Sequence, residues 1–364
     1  MTRVLVIGGY GNFGAFIVRR LAREPGISVI VAGRSEEKAK AISESTHSEW
    51  MALDIERDLD GSLKLAKADI VIHTSGPFQE QDYAVAQACV RHGAHYIDLS
   101  DGRSFVANIG ALEHVAKAAG VLVVSGASSV PALTSAIVDA YMHEFEHLDT
   151  LDYGIATAQK TNRGLATTRA VLGYAGKPFE TLLDGQMRQI HGWQDITWRK
   201  FAYLGWRALG NCDVPDLSLF PTRYPSLQTI RFRAGIEVSA IHLSLWALTW
   251  FVRWGFIGNL ATMAASLLAL SRPFDAIGTS KSGFFMEMRG RDKKDHPKKM
   301  LFELTACSGD GAMIPCTPAI VLALKLARGE MAQRGARPCV GLLTLDELLQ
   351  ELKSLDISWT MRAV

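Results

Sequence analysis

Three glycines near the start of the chain, Gly9, Gly11 and Gly14, stand in G-x-G-x-x-G spacing. The apolar run Val4 to Ile7 precedes them, and an apolar helical pattern opens near Asn12. A loop that cradles a dinucleotide needs this arrangement: a tight turn at the first glycine, bare backbone for the pyrophosphate at the second, and close helix-on-strand packing at the third. The phosphates would rest on the N–H groups and positive dipole end of the following helix. Tyr10, Asn12 and Phe13, set between the glycines, are counted with Gly9, Gly11 and Gly14 as cofactor-contacting residues. A purely structural glycine turn can show the same spacing, and the chain has 32 glycines. The strand before and the helix after are what select the dinucleotide reading.

The second apolar run ends in Gly33, Arg34 and Ser35. An NAD-type site holds a carboxylate about twenty residues beyond the fingerprint, for the ribose hydroxyls. Here Arg34 offers a guanidinium fork that matches a 2′-phosphate, with the Ser35 hydroxyl beside it, so NADP(H) is the expected cofactor. The plainer alternative is a surface arginine and a serine N-cap ahead of Glu36 and Glu37. Asp54, after the third run, would lie over the adenine edge or cap a turn. Ser75, Gly76 and Pro77, after the fourth, are candidates to line the ribose and nicotinamide, or are ordinary turn formers.

Hydride transfer needs positioning and one group that gives or takes a proton. His73, Tyr96 and Asp98 fall at strand ends beside the expected nicotinamide site and are the catalytic candidates. Each has a structural alternative: a core histidine, a packed tyrosine, a capping aspartate. Arg163 and Thr167 are placed to meet a substrate carboxylate, or are surface helix residues. Rival chemistries lack their residues. No tyrosine has a lysine four positions on, and G-x-S-x-G does not occur. His92 and His95 should point apart, and no metal site is expected.

These residues depend on a scaffold. At 364 residues two domains are expected. Residues 1–130 alternate short apolar runs with helical segments, the pattern of a doubly wound parallel sheet. The runs are Val4 to Ile7, Val29 to Ala32, Trp50 to Leu53, Ile70 to His73, His95 to Leu99 and Val121 to Ser125. Gly93 and Gly120 read as left-handed helix caps before the last two. From 131 to 310 the pattern predicts an α+β substrate or dimerisation domain on an antiparallel sheet, with strands at Leu148 to Thr157, Gly185 to Trp193, Thr197 to Ala202, Gln228 to Arg233, Phe284 to Arg289 and Leu301 to Ala306. Residues 311–364 read as C-terminal helices, at Pro318 to Ala327 and Leu343 to Leu352.

Charge is nearly balanced, 39 basic against 37 acidic residues, which does not favour a nucleic-acid partner. Five dispersed cysteines fit reduced thiols and a cytoplasmic location. A strand pattern begins within two residues of Met1, so no signal peptide is expected. Val238 to Leu270 is strongly apolar, with Trp246, Trp250 and Trp254 at i, i+4, i+8, and is interrupted by Arg253 and Gly255. Neither half reaches the ~20 apolar residues of a membrane span. Two helices buried in the second domain or in a homodimer seam are favoured over membrane association.

Taken together, Gly9 to Gly14, Gly33 and Arg34, Ser75 to Phe78, Ala88 and Cys89, Gly93 with His95, Tyr96 and Asp98, and the Ser129 to Pro131 turn resemble the saccharopine dehydrogenase-like (saccharopine reductase) oxidoreductases over about the first third of the chain. Gly309 to Gly311, Ile314 and Pro315, and Gly335 to Cys339 look similar to members of that group. The resemblance implies a Rossmann-type domain to which the C-terminal helices return, and an NADP(H)-dependent oxidoreductase of a small-molecule substrate, acting at a C–N or C=N bond of an amine or amino-acid derivative. Ser100, Asp101 and Gly102 replace a Gly-Glu pair that many relatives carry, so saccharopine itself is not implied. The alternatives are reduction of a C=C or C=O bond in a lipid-like substrate, and an NADPH-sensing interaction protein without catalysis.

Overall fold

The computed structural model describes residues 1–161 and 164–364. Contacts divide the chain into two compact units: Met1–Ala136 with Met313–Glu351, and Ile137–Ala312 with Leu352–Val364.

The first unit is built on a seven-stranded sheet. Its strands β1 (Thr2–Ile7), β2 (Ile27–Gly33), β3 (Glu49–Ala52), β4 (Ile70–His73), β5 (His95–Asp98) and β6 (Leu122–Ser125) match the six apolar runs. A seventh, Gly335–Pro338, lies beside β6. The sequence expectation lacked this strand because four residues with a glycine at one end and a proline at the other carry almost no strand pattern. All pairings are parallel, in the order Gly335–Pro338, β6, β5, β4, β1, β2, β3. β1, β2, β4 and β6 are apolar and buried along most of their length because helices cover both faces of such a sheet, whereas β3, at its edge, is largely exposed. The core gathers Leu5, Ile7, Ile30, Val71, Tyr96 and Val123. Helix α1 (Asn12–Leu21) buries Ile17, Val18 and Leu21, while Phe13 and Phe16 are only half-buried. Helix α2 (Glu36–Thr46) follows β2. Gly93 and Gly120 adopt φ of 69° each, the left-handed conformation expected of caps.

The second unit holds another seven-stranded sheet, ordered Thr197–Phe201, Gly205–Asn211, Thr229–Ile236, His147–Thr157, Ser282–Arg291, Pro297–Ala306 and Ile357–Ala363. The expectation of an antiparallel sheet is corrected to a mixed one, since Thr229–Ile236 runs parallel to His147–Thr157. Between these two strands the described chain passes through two helices and two hairpins and returns in the same sense, which a parallel pair requires. Alternation within a strand does not encode its partner's direction. The expected strand near Gly185 to Trp193 is Gln186–His191, in a separate hairpin with Pro178–Leu183.

The C-terminal segment also needs correction. Met313–Glu351 belongs to the first unit, but Leu352–Val364 belongs to the second, where Ile357–Ala363 pairs with Pro297–Ala306. Residues Ile357 to Met361 alternate half-buried and exposed, a faint period of two at the chain end.

The apolar stretch forms the helix Ser239–Arg253, a short turn, and the helix Ala264–Ser271. The first buries His242, Leu245, Thr249 and Val252 but leaves Leu243 and Phe251 exposed, so burial is one-sided. Neither helix is a candidate to cross a membrane; among the described residues one helical stretch, Asp310–Ala327, is long and apolar enough by length and composition, and 56% of it is buried inside the protein.

Candidate functional site

The chain folds so that the glycine loop and the Ser75–Pro77 turn leave adjacent strands. Ile7, the last residue of β1, is in register with His73, the last of β4. β1 lies between β2 and β4, where the strand order reverses, and open α/β sheets bind their ligands in the crevice at that point.

Each glycine can be assigned its physical reason. The tight turn falls on Gly8, with φ of 79°, rather than on Gly9. Gly8 and Gly9 both donate to the Ala32 carbonyl, at 2.9 and 3.0 Å. A Cβ on Gly9 would sit 2.9 Å from the Val6 carbonyl oxygen, so this glycine serves close packing. Gly14 does so more severely: a Cβ would lie 2.2 Å from the Gly8 carbonyl oxygen. Gly11 differs. It is exposed, and its Cβ would meet only the Gly8 oxygen, at 3.2 Å. That leaves open backbone beside the start of α1, which no side chain caps. This is the cradle a pyrophosphate requires. Asn12 is exposed at the helix start, and the Phe13 carbonyl accepts a 3.6 Å contact from the Cys316 thiol.

Tyr10 has a more specific role than loop filler. Its ring lies across Gly33, where a Cβ would come within 2.4 Å of the ring edge. Its hydroxyl accepts the Ser35 N–H at 3.0 Å. Arg34, between them, is exposed and makes no hydrogen bond or ion pair among the described residues. Ser35 caps α2 by accepting the Lys38 N–H at 3.4 Å, so its structural alternative is realised. The same holds for Asp54, whose carboxylate accepts the Glu56 N–H at 3.1 Å in a turn.

At the end of β4, Ser75, Gly76 and Pro77 are half-buried, with a cis bond between the last two. Two residues absent from the sequence expectation hold this turn. Thr74 donates to the Ile7 carbonyl at 2.9 Å, tying it to the glycine loop. Gln81 donates to the carbonyls of Ser75 and Pro77, at 2.7 and 3.1 Å. Threonine and glutamine in polar loops are common, so nothing in the sequence marked them.

His73, Tyr96 and Asp98 lie on the neighbouring strands β4 and β5, all three almost wholly buried. The His73 Nδ1 meets the Tyr96 hydroxyl at 3.1 Å, and its ring stands edge-on to Phe78 at 4.9 Å. Burial pushes the His73 pKa down to about 4, against a small opposing bond from the Ser75 backbone, so the ring is neutral near pH 7. One Asp98 oxygen accepts three bonds: Ser100 N–H at 2.9 Å, Ser125 hydroxyl at 3.0 Å and Gly126 N–H at 2.9 Å. Burial raises its pKa to about 6, and those bonds hold it from rising further. Burial, then the Asp98 charge, drives the Tyr96 hydroxyl well above its ordinary value. In this structure the three are buried and sit together at the ends of β4 and β5. His73 Nε2 and the second Asp98 oxygen are buried and have no hydrogen-bond partner among the described residues. Such atoms call for a reason, and two at strand ends beside a phosphate cradle fit a nucleotide-facing site.

Of the remaining candidates, Thr167 is exposed on the helix Leu165–Tyr174, and Arg163 lies outside the described residues. His92 faces Asp60 at 3.1 Å, whereas His95 Nδ1 accepts the Leu122 N–H at 2.8 Å, so the two histidines do point apart.

Fold and loop together define a two-unit protein whose first unit is a Rossmann-type dinucleotide-binding domain. Residues 4–124 match the model of the saccharopine dehydrogenase NADP binding domain. Over its whole length the chain is similar in fold to an apo saccharopine dehydrogenase (L-Glu forming) of Saccharomyces cerevisiae, with TM-score 0.70, 13% identity and 100% of both chains covered. A homospermidine synthase of Legionella pneumophila, solved with NAD, aligns with TM-score 0.63 and 9% identity over 100% of this chain and 91% of that one. The family match thus covers residues 4–124 of the nucleotide domain, and beyond them the likeness is one of fold. Among curated relatives, a lipid droplet localized protein of Caenorhabditis elegans is 32% identical over 146 residues, 35% of this chain and 34% of that protein. A Mycobacterium tuberculosis protein named as a trans-acting enoyl reductase is 28% identical over 111 residues, 29% of this chain and 26% of that protein. The matched stretches thus span about a third or less of those relatives.

Proposed function

We propose that the chain is an NADP(H)-dependent oxidoreductase acting at the C–N or C=N bond of a small amine or amino-acid-derived substrate. The observation that carries the cofactor half is Arg34, exposed and unpaired among the described residues, beside the bond between Tyr10 and Ser35 that ties it to the glycine loop. The cofactor supplies or accepts a hydride. Gly11 leaves backbone open for the pyrophosphate, Arg34 offers its fork to the 2′-phosphate, and the turn at Ser75, Gly76 and Pro77 lines the nicotinamide side. His73, Tyr96 and Asp98 fix the ends of β4 and β5 behind that turn.

The C–N half rests on the family of the nucleotide domain and on a fold shared with a saccharopine dehydrogenase and a homospermidine synthase. Fold alone does not assign a reaction. A second reading, reduction of a C=C bond in a lipid-like substrate, is favoured by the enoyl-reductase relative, which is closer in sequence than either structure. NADPH oxidation tested with a panel of imines and a panel of enoyl thioesters separates them. Turnover of imines alone supports the proposal; turnover of enoyl compounds alone replaces it with the second reading. Tight NADPH binding without turnover of either leaves a nucleotide sensor.

A further inference from the structure

The second unit exposes large apolar side chains along one continuous segment. Phe251, Trp254, Phe256, Leu270 and Ile277 are 46, 61, 77, 70 and 73% exposed. Trp254 and Phe256 flank Gly255, whose φ of 82° turns the chain and around which nothing lies within 4 Å of a Cβ position. Phe251 joins them, its ring 6.2 Å from Trp254 and 6.3 Å from Phe256. The opposite face of the helix Ser239–Arg253 is anchored by buried Leu245, Thr249 and Val252, so the aromatic tip is presented by a packed element.

Charge decides what would cover it. No aspartate or glutamate occurs between Glu237 and Asp275, while Arg253 and Arg272 lie in that interval and are exposed. Arg253 sits over the Trp250 ring at 5.0 Å and bonds Gln194 at 2.7 Å; Arg272 has no ion pair among the described residues. A two-fold contact between copies would set this segment against itself, arginine toward arginine, and its one carboxylate, Asp275, already accepts a bond from Gln159 at 2.8 Å. Aromatic side chains with arginines beside them suit a lipid–water interface, where the rings enter the headgroup layer and the cations meet anionic lipid.

We infer that the Trp254–Phe256 tip is a peripheral docking site for an anionic phospholipid surface. It lies on that surface without crossing it, because neither helix of the segment is long enough to span. The inference stands independently of the reaction proposed above.

The test is flotation of the full chain with phosphatidylcholine vesicles, with and without phosphatidylserine. The wild type should float with both and more with phosphatidylserine. Trp254→Ser combined with Phe256→Ser should lower the vesicle-bound fraction roughly tenfold, since two aromatic groups lose their apolar refuge. Arg272→Glu should remove only the phosphatidylserine increment, and it carries the test alone if circular dichroism shows the double variant misfolded. A wild type that stays at the bottom of the gradient, or variants that float as well as it does, would overturn the inference. So would a wild-type dimer that the double variant dissolves while neither floats, which would assign the patch to a second copy.

Discussion

The Tyr10 hydroxyl accepts the Ser35 N–H at 3.0 Å, joining the loop after β1 to the loop after β2. Tyr10 thereby fixes where Arg34 stands relative to the phosphate cradle. Tyr10→Phe keeps the ring over Gly33 and removes only this bond, a neutral one contributing about 1 kcal/mol. NADPH affinity should fall a few-fold, with NADH affinity changed less. Calorimetric titration of both nucleotides checks this, and an equal loss for both would limit Tyr10 to general loop packing.

The two loop glycines make opposite predictions. Gly11→Val adds its side chain beside open backbone, so thermal unfolding should change little while cofactor binding is abolished. Gly14→Ala drives a Cβ toward the Gly8 oxygen and should lower Tm by about 4 °C or more. Differential scanning calorimetry beside nucleotide titration distinguishes the two.

His73 gives a pH dependence. Its pKa is about 4 in the fold against an ordinary 6.5, so on acidification the unfolded chain takes up a proton before the folded one does. Stability contributed by neutral His73 is therefore complete above pH 6.5 and lost as the pH falls toward 4. Relative to His73→Gln, the wild type should lose about 2 kcal/mol of unfolding free energy between pH 7.5 and pH 5. Asp98, with its pKa raised to about 6, works in the other direction, so the comparison with the variant is what isolates the histidine. Denaturant unfolding at the two pH values measures it; a pH-independent difference would contradict the burial argument.

Much of the first unit was legible because β1 to β6 are short apolar runs separated by helices and glycine caps, and the glycine spacing falls where β1 meets α1. The Gly335–Pro338 strand was not, since nothing in four residues announces a partner more than two hundred positions away. Strand positions in the second unit could be read from alternation, but the parallel pairing of Thr229–Ile236 with His147–Thr157 depends on the path between them. Within the site, residue types marked His73, Tyr96 and Asp98, whereas their burial side by side at the ends of β4 and β5 appears only on folding. Thr74 and Gln81 escaped notice because they act through backbone carbonyls that only folding brings within reach. Ser35 and Asp54 carry the capping bonds that their sequence alternatives described, and both can be tested without the cofactor. Ser35→Ala should cost about 1 kcal/mol of helix stability.

The central claim is that Arg34 reads a 2′-phosphate. It is exposed and unpaired among the described residues, and a charge-assisted bond from it would be worth roughly 1.5–3 kcal/mol, on the order of ten- to a hundredfold in affinity. The most direct measurement is titration of the wild type and Arg34→Ala with NADPH and with NADH. NADPH should bind the wild type at least tenfold tighter, and Arg34→Ala should erase most of that gap by weakening NADPH while leaving NADH nearly unchanged. Equal affinities in the wild type, or a preference that survives the substitution, would contradict the account.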